Sequence, residues 1–290
     1  MKIFKHISEL QTALHAHRQH GQKIGFVPTM GNLHDGHLSL VNIAKAHADI
    51  VVVSIFVNPT QFGVDEDFDS YPRTLDADCE KLATAGVDYV FAPSVSQMYP
   101  SYPPSVQVLS GDISKILCGK SRPTHFDGVG LVVGKLFNIV RPDVAVFGKK
   151  DYQQLAIIRQ LNDELNFGID IIGGEIVRAD DGLALSSRNG YLTASERAIA
   201  PRLNQILNEF AHELKSEVND PTSDFYPSRL NRLIQKYTDE INRSGFKVDY
   251  LAVFNHKLAP PSCDDKHLVI LTASFLGKAR LLDNIEVVLD

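Results

Sequence analysis

Four short segments carry side chains whose types and spacing can do chemistry. The first is Pro28-Thr29-Met30-Gly31-Asn32-Leu33-His34-Asp35-Gly36-His37, an H-x-G-H between an apolar strand pattern and an amphipathic helix pattern. Glycines at 31 and 36 permit tight turns and close backbone approach to a ligand. The helix start that follows supplies N–H groups and positive potential suited to phosphate. The imidazoles of His34 and His37 can donate hydrogen bonds to phosphate oxygens and stabilise charge on a departing pyrophosphate. Two surface histidines, or half of a metal site, are the competing readings. No Cys or third nearby His completes a coordination set, so no metal ligand is assigned.

The second segment is Phe56-Val57-Asn58-Pro59-Thr60-Gln61-Phe62, whose amides are neutral donors and acceptors suited to a small polar substrate. Alone it is also an ordinary Asn-Pro turn. The third, Gly148-Lys149-Lys150-Asp151-Tyr152-Gln153-Gln154, places a glycine and two cations between a strand pattern and a helix pattern, with Asp151 a candidate cap. A solvated basic turn is its bland alternative. The fourth, residues 178–189, holds Leu185, Ser186, Ser187 and Arg188. Two hydroxyls and a forked guanidinium can grip a triphosphate, and as a mobile lid the loop could exclude water. An interdomain linker would have a similar composition. Two look-alikes are set aside. Residues 114–121 lack the first glycine of a P-loop and run into Pro123. Gly128, Gly130 and Gly134 have no strand before them and read as small residues on a packed helix face.

The elements that must position these groups follow from hydrophobic periodicity. Residues 23–27, 49–57, 87–92, 143–147 and 169–176 read as strands, and 49–57 is a nearly continuous β-branched run of the kind buried on both faces. Helix patterns occupy 38–48, 75–85, 129–140 and 152–166, the third with one apolar face. This alternation predicts a parallel α/β sheet with helices on both faces, with ligands beyond the C-terminal strand ends. After about residue 175 the pattern changes to two helices, 193–217 and 227–244, then strands at 248–254, 268–274 and 279–282. That predicts a smaller α+β domain, with a surface loop at 219–227. Domains are therefore expected at 1–176 and 177–290.

With 290 residues, 44% apolar and 22% charged, the chain is an ordinary folded protein rather than a disordered or fibrous one. A net charge of −6 argues against broad nucleic-acid or anionic-membrane binding, while leaving room for a local anion site. No apolar run approaches the ~18–20 residues of a membrane span. The charged, His-rich start lacks the apolar stretch of a secretory signal, so a cytoplasmic protein is expected. Cys79, Cys118 and Cys263 suggest reduced, mostly buried thiols.

In order, PTMGNLHDGH, FVNPTQF, YPRTL, GKKDYQQL, LSSRNGYL and the late GKARLLDN closely resemble the pantothenate synthetase (pantoate–β-alanine ligase) family of the HIGH-type nucleotidyltransferase superfamily. The resemblance implies a Rossmann-like N-terminal domain with a small C-terminal lid, and a homodimer. It also implies an ATP- and Mg²⁺-dependent condensation of pantoate with β-alanine through pantoyl adenylate, releasing AMP and pyrophosphate. Carried over by motif, Met30, Gly31, Asn32, Leu33, His34, Asp35, Gly36 and His37 would line ATP, with His34 and His37 on the phosphates and His37 a proton donor. Gly148, Lys149, Lys150 and Asp151 would bind ATP, Lys150 through its phosphates and Asp151 near the ribose. Val177 would touch adenine, and Leu185, Ser186, Ser187 and Arg188 would stand in for the KMSKS loop of related synthetases. Gln61 would contact pantoate and β-alanine, and Gln154 pantoate. His37, His34 and Lys150 are thus the expected catalytic groups.

Two departures from the family pattern stand out. Lys149 replaces the Glu of GEKD, which predicts altered ATP or Mg²⁺ affinity, and Thr60 replaces the Met of PMQF, reshaping the pantoate pocket slightly. Magnesium is expected on the ATP phosphates. The alternatives are a nucleotidylyltransferase acting on another small metabolite, which H-x-G-H alone does not separate, and a nucleotide-sensing binding module.

Overall fold

The computed structural model describes residues 1–63, 66–218 and 227–289. The loop expected at 219–227 therefore lies outside the described residues except for Pro227. The chain divides into two compact units, Met1–Lys149 with Gln153–Glu175, and Lys150–Tyr152 with Ile176–Asp290.

The first unit opens with β1 (Lys2–Phe4), α1 (Ile7–Gln19), β2 (Ile24–Thr29), α2 (Asp35–His47) and β3 (Ile50–Ile55). It continues through α3 (Leu75–Thr84), β4 (Tyr89–Phe91) and the single turns α4 (Val95–Met98) and α5 (Cys118–Ser121). The helix α6 (His125–Val140), β5 (Val144–Gly148), α7 (Tyr152–Glu164) and β6 (Asp170–Gly174) complete the pattern. The six strands form one parallel sheet in the order β1-β4-β3-β2-β5-β6. From β2 the chain steps to β3 and β4 on one side, then returns to lay β5 on the other. The strand order thus reverses between β2 and β5, and ligands of open α/β sheets gather at the strand tips beside such a reversal.

Alternation along the strands sorts the core into two layers. Phe26, Val52, Ala145 and Phe147 face one cluster with Leu10 and Leu14 of α1, Val133 and Leu136 of α6, and Leu155 and Ile158 of α7. Val27, Val51, Val53, Val144 and Val146 face the other, with Leu40 and Val41 of α2 and Leu82 of α3. Both faces are covered, which is why these strands read as unbroken apolar runs.

Three expectations change. First, β1 and α1 were concealed in the charged start. β1 has three residues at a sheet edge, and α1 buries only Leu10 and Leu14. Second, α6 buries residues around most of its circumference rather than on one face. Gly128 makes this possible: a Cβ there would come within 2.1 Å of the Thr60 carbonyl oxygen. The segment resembling a P-loop follows a 3-10 turn, not a strand.

The second unit contains α8 (Ala194–Ile199), α9 (Arg202–Val218), α10 (Ser228–Arg243), β7 (Lys247–Asn255), β8 (His267–Leu276) and β9 (Ala279–Val288). The third change is here: the single helix expected at 193–217 is broken between α8 and α9 at Pro201, which lacks the N–H a continuing helix needs. The three strands are antiparallel in the order β7-β8-β9. Leu203, Ile206, Leu207 and Phe210 of α9 and Leu233, Tyr237 and Ile241 of α10 pack with Leu251, Ile270 and Leu281 of this sheet. Cys79 and Cys118 are buried, whereas Cys263 is exposed. Among the described residues no helix is long and apolar enough to cross a membrane.

Candidate active site

In the first unit, the turn leaving β2 is shaped by backbone conformation and one buried carboxylate. Gly31 adopts φ +86°, which glycine accepts without strain, and Asn32 follows at φ 50°. Gly36, expected to serve a second turn, instead lies in the regular first turn of α2. Asp78 of α3, 1% exposed, accepts hydrogen bonds from Asn32 N (2.9 Å), Leu33 N (2.8 Å) and the Thr74 hydroxyl (3.0 Å). Lys81 donates to the Leu33 carbonyl at 2.6 Å. One turn of α3 therefore holds the loop by both its donors and its acceptor.

The two histidines form the cap of α2. Gly36 N donates to His34 Nδ1 (3.1 Å), His34 N donates to His37 Nδ1 (3.3 Å), and the rings lie 4.1 Å apart. An Nδ1 that accepts a backbone N–H carries no proton, so in each neutral ring Nε2 holds it. Each neutral ring thus keeps its proton on Nε2, at a helix N-terminus whose backbone N–H groups and positive potential favour phosphate. Asp35 is exposed in the first turn of α2.

The turn after β3 is drawn to the turn after β2. Gln61 Nε2 donates to Met30 Sδ at 3.3 Å. Asn58, 1% exposed, donates from Nδ2 to Gln61 Oε1 (3.1 Å) and to the Gly128 carbonyl (3.2 Å). Its Oδ1 accepts from the Tyr99 hydroxyl (2.8 Å) and the Thr60 hydroxyl (3.0 Å). Burial pushes the Tyr99 hydroxyl pKa upward, keeping it a donor. The Gln61 carbonyl accepts from His125 Nδ1 at 2.7 Å, and His125 Nε2 accepts from Arg122 at 3.1 Å. Arg122 also pairs with Glu66 through both oxygens, one bond at 2.6 Å. Burial alone would raise the Glu66 pKa, but the Arg122 bonds hold its carboxyl below the ordinary range.

At the tip of β5, Gly148 pairs in register with Gly174 of β6. The ammonium of Lys149 meets Glu175 at 2.6 Å, so its added positive charge is locally paired. Gln153 is a scaffold residue: it donates to the carbonyls of Ile113 (2.7 Å) and Ile116 (2.8 Å) and accepts from Cys118 N (3.1 Å). Gln154, half-buried, is on α7 beside it.

In the second unit, Lys150 Nζ lies 3.2 Å from Asp151, and the Lys150 carbonyl accepts from Asn284 Nδ2 at 3.0 Å. Residues 177–185 form a small hairpin rather than a plain linker, with Leu185 N donating to the Val177 carbonyl (2.9 Å) and a bridge between Arg178 and Ala184. Arg178 makes a two-pronged pair with Asp283 at 2.7 and 2.8 Å. Ser186 caps the 3-10 turn Ser187–Tyr191 by accepting from Arg188 N, and Asn189 donates to the Ala184 carbonyl at 3.0 Å. Leu185, Ser186, Ser187 and Arg188 are all half-buried.

Residues 2–286 match the family model for pantoate-beta-alanine ligase. The chain is 63% identical to the pantothenate synthetase of Psychrobacter sp. (strain PRwf-1), covering 98% of both proteins. The chain belongs to the pantoate–β-alanine ligase family. Its fold agrees: the crystal structure of pantothenate synthetase from Thermus thermophilus matches with TM-score 0.87 at 38% identity, over 98% of this chain and 99% of that one. Pantoate-beta-alanine ligase from Francisella tularensis, complexed with beta-gamma ATP and beta-alanine, matches with TM-score 0.81 at 37% identity over 98% and 97%. This family of amide-forming, ATP-using ligases is favoured over the nucleotidylyltransferase alternative.

Within this ligase, motif reading missed the residues that hold the motif residues. Asp78 was legible: with Leu75, Cys79 and Leu82 it occupies an apolar stripe at three- and four-residue spacing, where a lone carboxylate needs partners. Asp283 and Asn284 close the GKARLLDN segment, but nothing in it points to Arg178 or Lys150, and Tyr99, Arg122 and His125 gave no local signal for their bonds to Asn58, Glu66 and Gln61, which are distant in sequence.

Proposed function

We propose that this ligase condenses (R)-pantoate with β-alanine in two steps. The pantoate carboxylate attacks the α-phosphorus of ATP, forming the acyl–phosphate bond of pantoyl adenylate as the bond to pyrophosphate breaks. The amine of β-alanine then attacks the acyl carbon, the amide forms, and AMP leaves. The observation that carries this reading is the α2 cap, in which both Nδ1 atoms are engaged by backbone N–H groups, so that each neutral ring keeps its proton on Nε2. Two oriented donors stabilise the charge that grows on departing pyrophosphate. His37 serves as a proton donor to it.

Lys150 supplies a cation for the phosphates, and Ser186, Ser187 and Arg188 add hydroxyls and a fork. Asp151 is assigned to the ribose and Val177 to adenine. Gln61, anchored at its carbonyl by His125 and at its side chain by Asn58, orients pantoate and β-alanine. Gln154 completes the pantoate contacts. Magnesium fits this donor set as a partner of the nucleotide, since N–H and hydroxyl groups take phosphate oxygens and the ion binds the same oxygens from outside. Bound on ATP, the ion would neutralise the triphosphate. The protein is assigned to the cytoplasm and to a homodimer.

Incubation with pantoate, ATP and Mg²⁺, with and without β-alanine, tests the route. Pantothenate, AMP and pyrophosphate should appear in equal amounts when β-alanine is present. ADP and phosphate in their place would refute an adenylate.

A further inference from the structure

We propose that Asp283 and Asn284, neighbours on β9, are positioning residues that fix the two ATP-directed segments of the second unit, one from each face of the strand. The proposal rests on the reading that Lys150 and residues 185–188 engage the ATP phosphates.

Successive side chains on a strand point to opposite faces. Asn284, 4% exposed, reaches the Lys150 carbonyl at 3.0 Å. That bond fixes the peptide joining Lys150 to Asp151, and hence the direction in which both side chains leave the backbone. Asp283, also 4% exposed, points the other way and grips Arg178 with both oxygens at 2.7 and 2.8 Å. Arg178 in turn donates to the Gly182 carbonyl at 3.1 Å, closing the hairpin whose return arm leads into residues 185–188. Asp283 also accepts the Asn284 N–H at 2.8 Å, which links the two grips.

The strand itself does not call for these residues. Asp283 and Asn284 sit mid-strand, opposite Thr272 and Leu271 of β8, while Leu281 and Val287 of the same strand join the apolar core. A buried carboxylate and amide there are costly unless something uses them. Asp283 also accepts from Asn204 of α9 at 3.3 Å, and the other partners named, Arg178 and the Lys150 carbonyl, are the roots of the two segments that carry the phosphate-directed cations. The β8–β9 ladder, paired from end to end, supplies the rigid support that such positioning requires.

The two half-reactions separate positioning from folding. Pantoate-dependent exchange of labelled pyrophosphate into ATP reports the first, and single-turnover aminolysis of pre-made pantoyl adenylate by β-alanine reports the second. Asn284→Ala should raise KM for ATP and slow exchange about 10- to 100-fold, the scale of a misplaced catalytic group, while aminolysis stays near the native rate. Asn284→Asp, the same shape without the Nδ2 donor, should behave alike and guards against misfolding of the alanine variant. Asp283→Asn should show the same split through the hairpin. Lys150→Ala is the control. If it abolishes exchange while Asn284→Asp exchanges normally, the positioning role is overturned and the Lys150 assignment stands. If both half-reactions fall together in step with lost folded protein, the residues are only structural and the proposal is again overturned. An unimpaired Lys150→Ala would remove the reading beneath the proposal, and the proposal with it.

Discussion

Thr60 occupies a position where the family resemblance expects Met, yet its hydroxyl is absorbed into the network around Asn58 rather than left in a pocket. Because Asn58 Oδ1 also accepts from Tyr99, either donor can be lost alone with little effect. Thr60→Met and Tyr99→Phe should each cost about 1 kcal/mol or less and leave KM for pantoate within about threefold. The double variant leaves the buried oxygen with the Thr60 N–H at 3.3 Å in place of two hydroxyl donors, and its loss should exceed the sum of the singles. A double-mutant cycle on KM for pantoate measures this, and strict additivity would disconnect Asn58 from Gln61. Asp78 is a sharper case, since it satisfies two backbone donors at once. Asp78→Asn presents only one acceptor oxygen and should destabilise by about 2–3 kcal/mol, with a raised KM for ATP. Urea denaturation and initial rates together check it. A variant as stable as the parent would show that the loop holds itself.

At the scale of elements, α2 joins stability to chemistry, because its capping residues are also the proposed phosphate donors. Gln at the N3 position of a capping box can take the N-cap N–H as His37 does. His37→Gln should therefore keep the cap, with stability within about 0.5 kcal/mol, while adenylation falls about 10²- to 10⁴-fold. Thermal unfolding and pyrophosphate exchange on one preparation separate the effects, and a variant that still exchanges normally would remove the imidazole from the mechanism. The same scale shows what was readable beforehand. β2, β3 and β5 announced themselves because burial on both faces demands unbroken apolar runs, and the turns at their tips carried the motifs. β1 and α1 did not, since a three-residue edge strand and a helix burying two leucines leave little pattern. Nor did the supports of the site. His125 reaches Gln61 across 64 residues and Asn284 reaches Lys150 across 134, and no local spacing encodes such contacts.

For the whole molecule, one stretch of the first unit exposes several apolar side chains close together in sequence. Tyr102, Val106 and Leu109 in the first unit are 54%, 67% and 77% exposed, within a stretch that forms no strand or helix. Exposed apolar groups that gather into one large contiguous patch mark interaction sites. A two-fold pair would bury the same stretch from both copies with one self-complementary contact, and the proposed homodimer supplies that second copy. Light scattering should give a mass twice the 32.1 kDa of one chain. Val106→Glu combined with Leu109→Glu should shift the mass to that of the single chain, because association would bury four unpaired carboxylates. Both positions are exposed, so the fold should survive, and an unchanged thermal midpoint in dilute solution would establish that. A double variant that stays dimeric would move the interface elsewhere, and a native protein that is monomeric at every concentration would end the assignment.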